Sequence, residues 1–212
     1  GVIAAAGFGT RFLPITKAIP KEMLPVIDRP MIHYTVEEAA MAGIFHLILI
    51  TSQGKGIMED YFHVTQELEQ EMEKRGASSR LEPVRYLTRL IEMITVHQEQ
   101  QLGLGHAVLM AKHAVGNEPF VTYLPDDIIH NRTSATSQLL DVHRIHGGSV
   151  IAVEEIPKDS VSAYGVIDAE RISARVYRVR GLVEKPSPKA APSNLGVVGR
   201  YVLSPSIFPA LE

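Results

Sequence analysis

Two carboxylates stand side by side at Asp126 and Asp127, directly after a strand-like run, FVTYL (120–124), and a proline. Such a pair is costly to desolvate unless a cation or hydrogen-bond donors attend it. It therefore suits magnesium, an ion that takes one or two carboxylates together with substrate phosphates; an aspartate capping a turn is the plainer alternative. Far away in sequence, AAAGFGTRFLP (4–14) follows the apolar run VIAAA (2–6). Gly7 and Gly9 let main-chain amides approach an anion, and Thr10 and Arg11 add a hydroxyl and a fork of fixed donors, although a tight strand-to-loop turn has the same composition. The stretch is not G-x-G-x-x-G, because the residue three after Gly9 is Phe12, and it is not G-x-x-x-x-G-K-[ST]. A dinucleotide reductase or a P-loop kinase thus loses its main support.

Other residues fit the same theme. Lys21 lies between Pro20 and Pro25, which stiffen its loop, and it shares the N-terminal region with Arg11, Lys17 and Arg29. That company separates it from an ordinary solvated lysine. Glu184-Lys185-Pro186 offers an acceptor for sugar hydroxyls beside a cation for a phosphate, or else a lone surface ion pair. Gln98 and the turn LGLGH (102–106) can present an amide and backbone to a base, or form a polar loop. The nine histidines include no H-E-x-x-H, and His143 with His146 reads as a solvated helix face rather than a metal pair.

The elements that must hold these residues alternate between short apolar runs and helical patterns, which argues for βαβ units and a parallel sheet. Strands are expected at 2–6, 46–52, 93–97, 120–124 and 149–156. Helices are expected at 31–42 with Gly43 as its stop, at 58–75 ending before Gly76, at 105–115, and around 137–146. From YGVID (164–168) onward, short β-like runs separated by turn residues point to a sheet extension in the C-terminal third. Ligands in open parallel sheets bind beyond the carboxyl ends of the strands. The glycine turn, the segment from His97, the PDD turn and EKP should therefore converge on one edge.

Composition narrows the classes. The chain has 212 residues, 45% hydrophobic, enough for one α/β domain with a substantial core. A net charge of −3 with no long basic run gives no footprint for nucleic acid or an anionic membrane. No cysteine is present, which removes thiolate nucleophiles and Cys-ligated zinc and fits a reducing compartment. With no apolar span and no basic leader pattern, a soluble cytoplasmic protein is expected.

GFGTRFLPITKAIPKEMLPVIDRPMI (7–32), GLGHAV (103–108), LPDD (124–127), AYGVID (163–168), VEKP (183–186) and APSNLGVVGRYVLSP (191–205), in this order, resemble the bacterial UTP:glucose-1-phosphate uridylyltransferases. The resemblance covers nearly the whole chain, and PKEMLP, APSN and GRYVLSP distinguish it from the thymidylyl relatives. It implies a single α/β, Rossmann-like catalytic domain over 1–212, with a mixed, mostly parallel sheet flanked by helices. It further implies Mg²⁺ as cofactor, UTP and glucose 1-phosphate as substrates, and a homo-oligomer. By motif match, Ala6, Gly7, Gly9, Thr10 and Arg11 would contact the nucleotide. Lys21 would hold the reacting phosphates, and Gln98 and Gly103 would read uracil. Asp126 would bind the metal, and Asp127, Gly165, Glu184 and Lys185 would hold the sugar phosphate. The family's later segments, including the aspartate that supplies a second metal ligand, have no counterpart in these 212 residues. A sister transferase using another nucleotide or sugar, and a nucleotide-binding module without turnover, remain the competing readings.

Overall fold

Val2 and Ile3 are neighbours on one strand, so their side chains point to opposite faces, and both are fully buried. A strand buried on both sides needs helices above and below it. The computed structural model describes residues 1–212 and has this layering. β1 (Val2–Ala4) lies inside an eight-stranded sheet that also holds β4 (His46–Thr51), β5 (Glu92–His97), β6 (Phe120–Tyr123), β7 (Val150–Glu155), β8 (Gly165–Arg171), β9 (Tyr177–Glu184) and β10 (Leu195–Leu203). The short β2 (Pro25–Val26) and β3 (Arg29–Pro30) pair only with each other. On one face α1 (Met31–Met41), α2 (Ile57–Tyr61), α4 (Glu82–Leu90) and α7 (Ala135–His146) enclose Ile3, Leu47, Leu49 and Val121. On the other, α5 (Leu104–Met110), α6 (Lys112–Val115) and α8 (Phe208–Leu211) cover Val2, Ile48, Ile50 and Phe120.

The strand order is β5-β4-β1-β6-β10-β8-β9, with β7 also paired to β10. The first four are mutually parallel. β10 runs antiparallel to β6, β7 and β8, and β8 antiparallel to β9. The fold class expected from the sequence holds, with parallel pairing confined to the first four strands of that order. β10 has a second property that matters for the site. Its residues 200–203 pair with β6, whereas Gly196 pairs with Val166 of β8. The strand therefore overhangs the carboxyl edge of the parallel strands and carries the β8–β9 hairpin there.

Helix α1 starts and stops where its sequence says. Ile32, Val36 and Ala39 are completely buried at helical spacing, and Gly43, at φ 79°, turns the chain out. The Gly43 N–H bonds the Ala40 carbonyl at 3.0 Å and the Ile44 N–H bonds the Ala39 carbonyl at 2.9 Å, the paired closure of a Schellman motif. The helix expected over 58–75 is instead two, α2 and α3 (Gln66–Lys74), separated at Phe62–Thr65. Val64 and Thr65 are β-branched and weak helix formers, and the freed Phe62 carbonyl accepts from Thr88 Oγ1 at 3.1 Å. As a result Met58 and Phe62 enter the core while Leu68 stays exposed. α4 was not anticipated, although Pro83 in its first turn and Val84, Leu87 and Ile91 at helical spacing are its signals. The expected helix 105–115 is interrupted at Ala111, and the expected strand 2–6 ends at Ala4. No helix is long and apolar enough to cross a membrane.

His33 on α1 is fully buried, with Nδ1 3.0 Å from the Tyr61 hydroxyl and Nε2 3.3 Å from Arg29 Nη1. Burial and then the Arg29 charge, against a smaller opposing pull from Asp28, lower its pKa from 6.5 to about 4. The folded state thus holds this ring neutral. Its contribution is complete above pH 6.5 and is lost as pH falls towards 4, up to about 3 kcal/mol. Urea midpoints taken from pH 7 to 4 should therefore fall less steeply in His33→Gln than in the parent protein.

Candidate active site

The carboxyl ends of β1, β4 and β5 open into a cleft of about 1010 Å³ whose lining includes Phe8, Lys17, Lys55 and Gln98. The glycine turn closes one side of it. Gly9 adopts φ 64°, and a side chain there would meet Thr16 at 3.0 Å and Lys21 at 3.2 Å, so the turn requires glycine on both backbone and packing grounds. The Gly9 carbonyl accepts from Thr16 Oγ1 at 2.9 Å and from the Phe12 N–H at 2.9 Å. Thr10 and Arg11 sit in the short helical turn that follows and are exposed, and the Arg11 guanidinium has no ion pair within the protein. Ala6 is buried beneath the turn and Gly7 is exposed at its tip.

A lysine that the sequence reading passed over holds this turn from below. Lys55, just after β4, donates to the carbonyls of Ala5 at 2.6 Å and Gly7 at 2.7 Å and to Glu22 Oε2 at 3.2 Å. Glu22 is fully buried. Burial raises the Glu22 pKa, opposed by the Lys55 charge, and burial lowers that of Lys55, opposed by Glu22. Lys55 could have been suspected, since TSQGKG follows a buried strand at the same edge as the other segments. Glu22 carries no such signal.

Beside the turn, Lys21 Nζ lies 2.6 Å from Asp126 Oδ2, both groups partly open to solvent. This contact joins the N-terminal loop to the turn after β6, 105 residues later. Arg29 does not join them: it lies against Glu37 at 3.4 Å and His33 at 3.3 Å, held towards α1. Lys17 does line the cleft.

The LPDD turn itself is fastened to β10. The Leu124 N–H bonds the Gly199 carbonyl at 2.9 Å, and the Gly199 N–H bonds Asp127 Oδ2 at 2.7 Å. A side chain at Gly199 would strike Asp127 and Leu124 at 2.6 Å. Next to it, Arg200 is 1% exposed and donates to the carbonyls of Leu124 at 3.0 Å and Asp127 at 2.8 Å, bracketing Asp126. Its charge is met by Glu38 of α1 at 2.8 Å, whose other oxygen accepts from the Thr136 hydroxyl at 2.7 Å. An arginine inside the apolar run LGVVGRYVL is itself a sequence signal for a buried ion pair, and it was missed.

The remaining residues gather on the overhang of β10. Gly165 pairs across the hairpin with Glu184, and a side chain at Gly165 would meet Glu184 Oε2 at 3.1 Å. Lys185 lies 3.2 Å from Glu184, both exposed, and adopts φ 46°. Burial raises the pKa of the Tyr201 phenol, and the charges of Asp127 and Glu184 raise it further. EKP thus reaches the common rim, but not for the reason expected. β9 is antiparallel to its neighbour and arrives there because β10 extends past β6. Gln98, 3% exposed, follows β5 and contacts Gly103, the residue before α5. His143 bonds the Gly148 carbonyl at 2.7 Å in an exposed setting, and no cluster of three metal-ligating side chains exists.

Parallel strands thus carry anion-suited turns at their carboxyl ends, a lysine–aspartate contact lies beside them, and a second carboxylate stands on a hairpin. The profile of the nucleotidyl transferase family matches residues 1–212. The UTP–glucose-1-phosphate uridylyltransferase of Staphylococcus epidermidis is 50% identical over 211 residues, all of this chain and 73% of the relative. Among solved structures, an apo UDP-glucose pyrophosphorylase superposes with a TM-score of 0.94 at 43% identity, over 99% of this chain and 78% of that one. The UTP-bound enzyme of Acinetobacter baumannii gives 0.91 at 41% identity, over 98% and 75%. The chain belongs to the nucleotidyl transferase family, in its branch of UTP–glucose-1-phosphate uridylyltransferases.

Removing one partner of a buried pair strands the other charge, at a cost of roughly 3–5 kcal/mol. Arg200→Met should lower the unfolding free energy by that amount in denaturant titrations, and Arg200→Met with Glu38→Leu should lose less than the single variant. A loss below about 1 kcal/mol in the single variant would show that the pair does not carry this load.

Proposed function

We propose that this chain transfers a uridylyl group from UTP to glucose 1-phosphate, giving UDP-glucose and pyrophosphate. The observation that carries the reading is the 2.6 Å contact of Lys21 with Asp126, a cation and a carboxylate meeting between an anion-suited turn and a carboxylate-bearing rim. Support comes from the relatives, one of them bound to UTP. In this scheme the turn Ala6 to Arg11 takes the triphosphate, with Gly7 and Gly9 allowing close main-chain approach and Arg11 bringing an unpaired guanidinium. Gln98 and Gly103 face the base. Asp127, Gly165, Glu184 and Lys185 take glucose 1-phosphate, the acidic groups accepting from sugar hydroxyls and the lysine attending the phosphate.

The nucleophile belongs to the substrate. A phosphate oxygen of glucose 1-phosphate forms a bond to the α-phosphorus of UTP as the bond to the pyrophosphate oxygen breaks on the opposite side, so no activated serine, cysteine or histidine is needed. What the protein must do is hold two mutually repelling anions in line and meet the charge that develops. Lys21 is poised for this, since a phosphate can take the place of Asp126 at its ammonium. Magnesium fits the residues present: Asp126 uses only Oδ2 towards Lys21, and this ion completes its shell with substrate phosphates and water rather than with a protein cage. When bound, the ion would neutralise phosphate charge beside Asp126.

Pyrophosphate release measured across the four nucleoside triphosphates and several sugar 1-phosphates should be greatest for UTP with glucose 1-phosphate. UTP binding with no UDP-glucose formed would replace the enzyme with a binding module. Lys21→Ala should lower kcat/KM by about 100-fold, equivalent to ~2.7 kcal/mol of lost electrostatic stabilisation. Near-normal turnover would remove Lys21 from the reacting centre.

A further inference from the structure

A side-chain amide is chemically two-faced: its nitrogen donates twice, its oxygen accepts twice, and a half-turn exchanges them. At Gln98 that ambiguity decides which base is read. The residue is almost entirely buried, follows β5 directly, has its N–H on the Thr51 carbonyl at 2.8 Å, and lines the cleft. Its Nε2 has two neighbours in the protein, the Gly103 carbonyl at 3.3 Å and His106 Nδ1 at 2.8 Å. A carbonyl can only accept, so the amide atom facing Gly103 is the nitrogen. His106, in the first turn of α5, accepts the second N–H through Nδ1 when its ring proton is on Nε2. Both donors are then consumed inside the protein. The carboxamide oxygen, which has no hydrogen bond within the protein, is what remains for a ligand.

We infer that His106 is a positioning residue that locks the Gln98 amide in one orientation and thereby separates uracil from cytosine nucleotides. The inference rests on the reading that the cleft takes UTP with its base at Gln98. Uracil presents N3–H, a donor, to an acceptor oxygen. Cytosine presents a lone pair at N3, which that oxygen repels. Were the amide free to turn, its nitrogen would meet the cytosine N3 instead, so the preference depends on the lock and not on Gln98 alone. The 3.3 Å bond to Gly103 is long and the 2.8 Å bond to His106 is short, so the histidine holds the amide more firmly of the two. Thymine shares the N3–H of uracil, so the lock does not act between those two bases.

The test compares kcat/KM for UTP, CTP and dTTP, with saturating glucose 1-phosphate and magnesium, in the parent protein, His106→Phe and His106→Asn. His106→Ala replaces the phenylalanine variant should circular dichroism show that it does not fold. Phenylalanine keeps a ring and lacks the acceptor; asparagine restores an acceptor oxygen near the position of Nδ1. The UTP:CTP ratio should fall at least tenfold in His106→Phe, return to within about threefold of the parent in His106→Asn, and leave the UTP:dTTP ratio unchanged in both. A UTP:CTP ratio preserved in His106→Phe overturns the lock while leaving uridylyl transfer intact. Equal fall of all three nucleotides also overturns it, because a merely structural role would act that way. A parent protein that does not prefer UTP to CTP would overturn both the lock and the uridylyl reading.

Discussion

The Arg200–Glu38 pair is the interaction on which the site's geometry depends. Charges this deeply buried are not inexpensive stabilisers, because desolvation offsets much of their attraction, and a well-packed apolar pair can match them. What an apolar pair cannot do is bind carbonyl oxygens. Arg200 spends its remaining donors on Leu124 and Asp127, and on the Gly199 carbonyl at 2.9 Å, so the strand, the helix and the turn that carries the two aspartates are fixed by one planar group. Tyr123 lies beneath the guanidinium at 5.4 Å, closing its face. The result is a turn whose backbone is saturated from inside, leaving the Asp126 carboxylate to point outward.

Lys55 repeats the arrangement on the other loop. It too is a cation paired with a buried glutamate, and it too is bound to backbone carbonyls, those of Ala5 and Gly7. In both places the carbonyls of a loop face an internal cation, so their negative ends are turned inward. Preorganisation of this kind lets a site for anions be assembled in a protein of net negative charge, because the favourable electrostatics are local and fixed before any ligand arrives.

Much of this was legible before the fold was known. Strand positions followed from apolar runs and turn residues because buried strands have few other compositions open to them. The glycine turn and the aspartate pair were marked by their place after such strands, and Lys21 by its flanking prolines and cationic company. What escaped was whatever depended on distant partners. Glu22 looks like any exposed glutamate until Lys55, 33 residues away, is folded over it. The break between α2 and α3 was hidden because the charges of QELEQEMEK continue a helical pattern past Val64 and Thr65, where Thr88 from another helix satisfies the broken end. The convergence of EKP with PDD was anticipated from a rule about parallel strands and is produced by an antiparallel one, a distinction that only register reveals.

The overhanging strand β10 divides labour along its length. Its last residues complete the main sheet beside β6, and its first residues carry the β8–β9 hairpin through the single register point Gly196–Val166. Insertions, deletions or new side chains in that hairpin leave the pairing of β5, β4, β1 and β6 untouched, since none of those strands contacts it in the ladder. The hairpin can therefore change in length or side chains while the ladder of the parallel strands keeps its register.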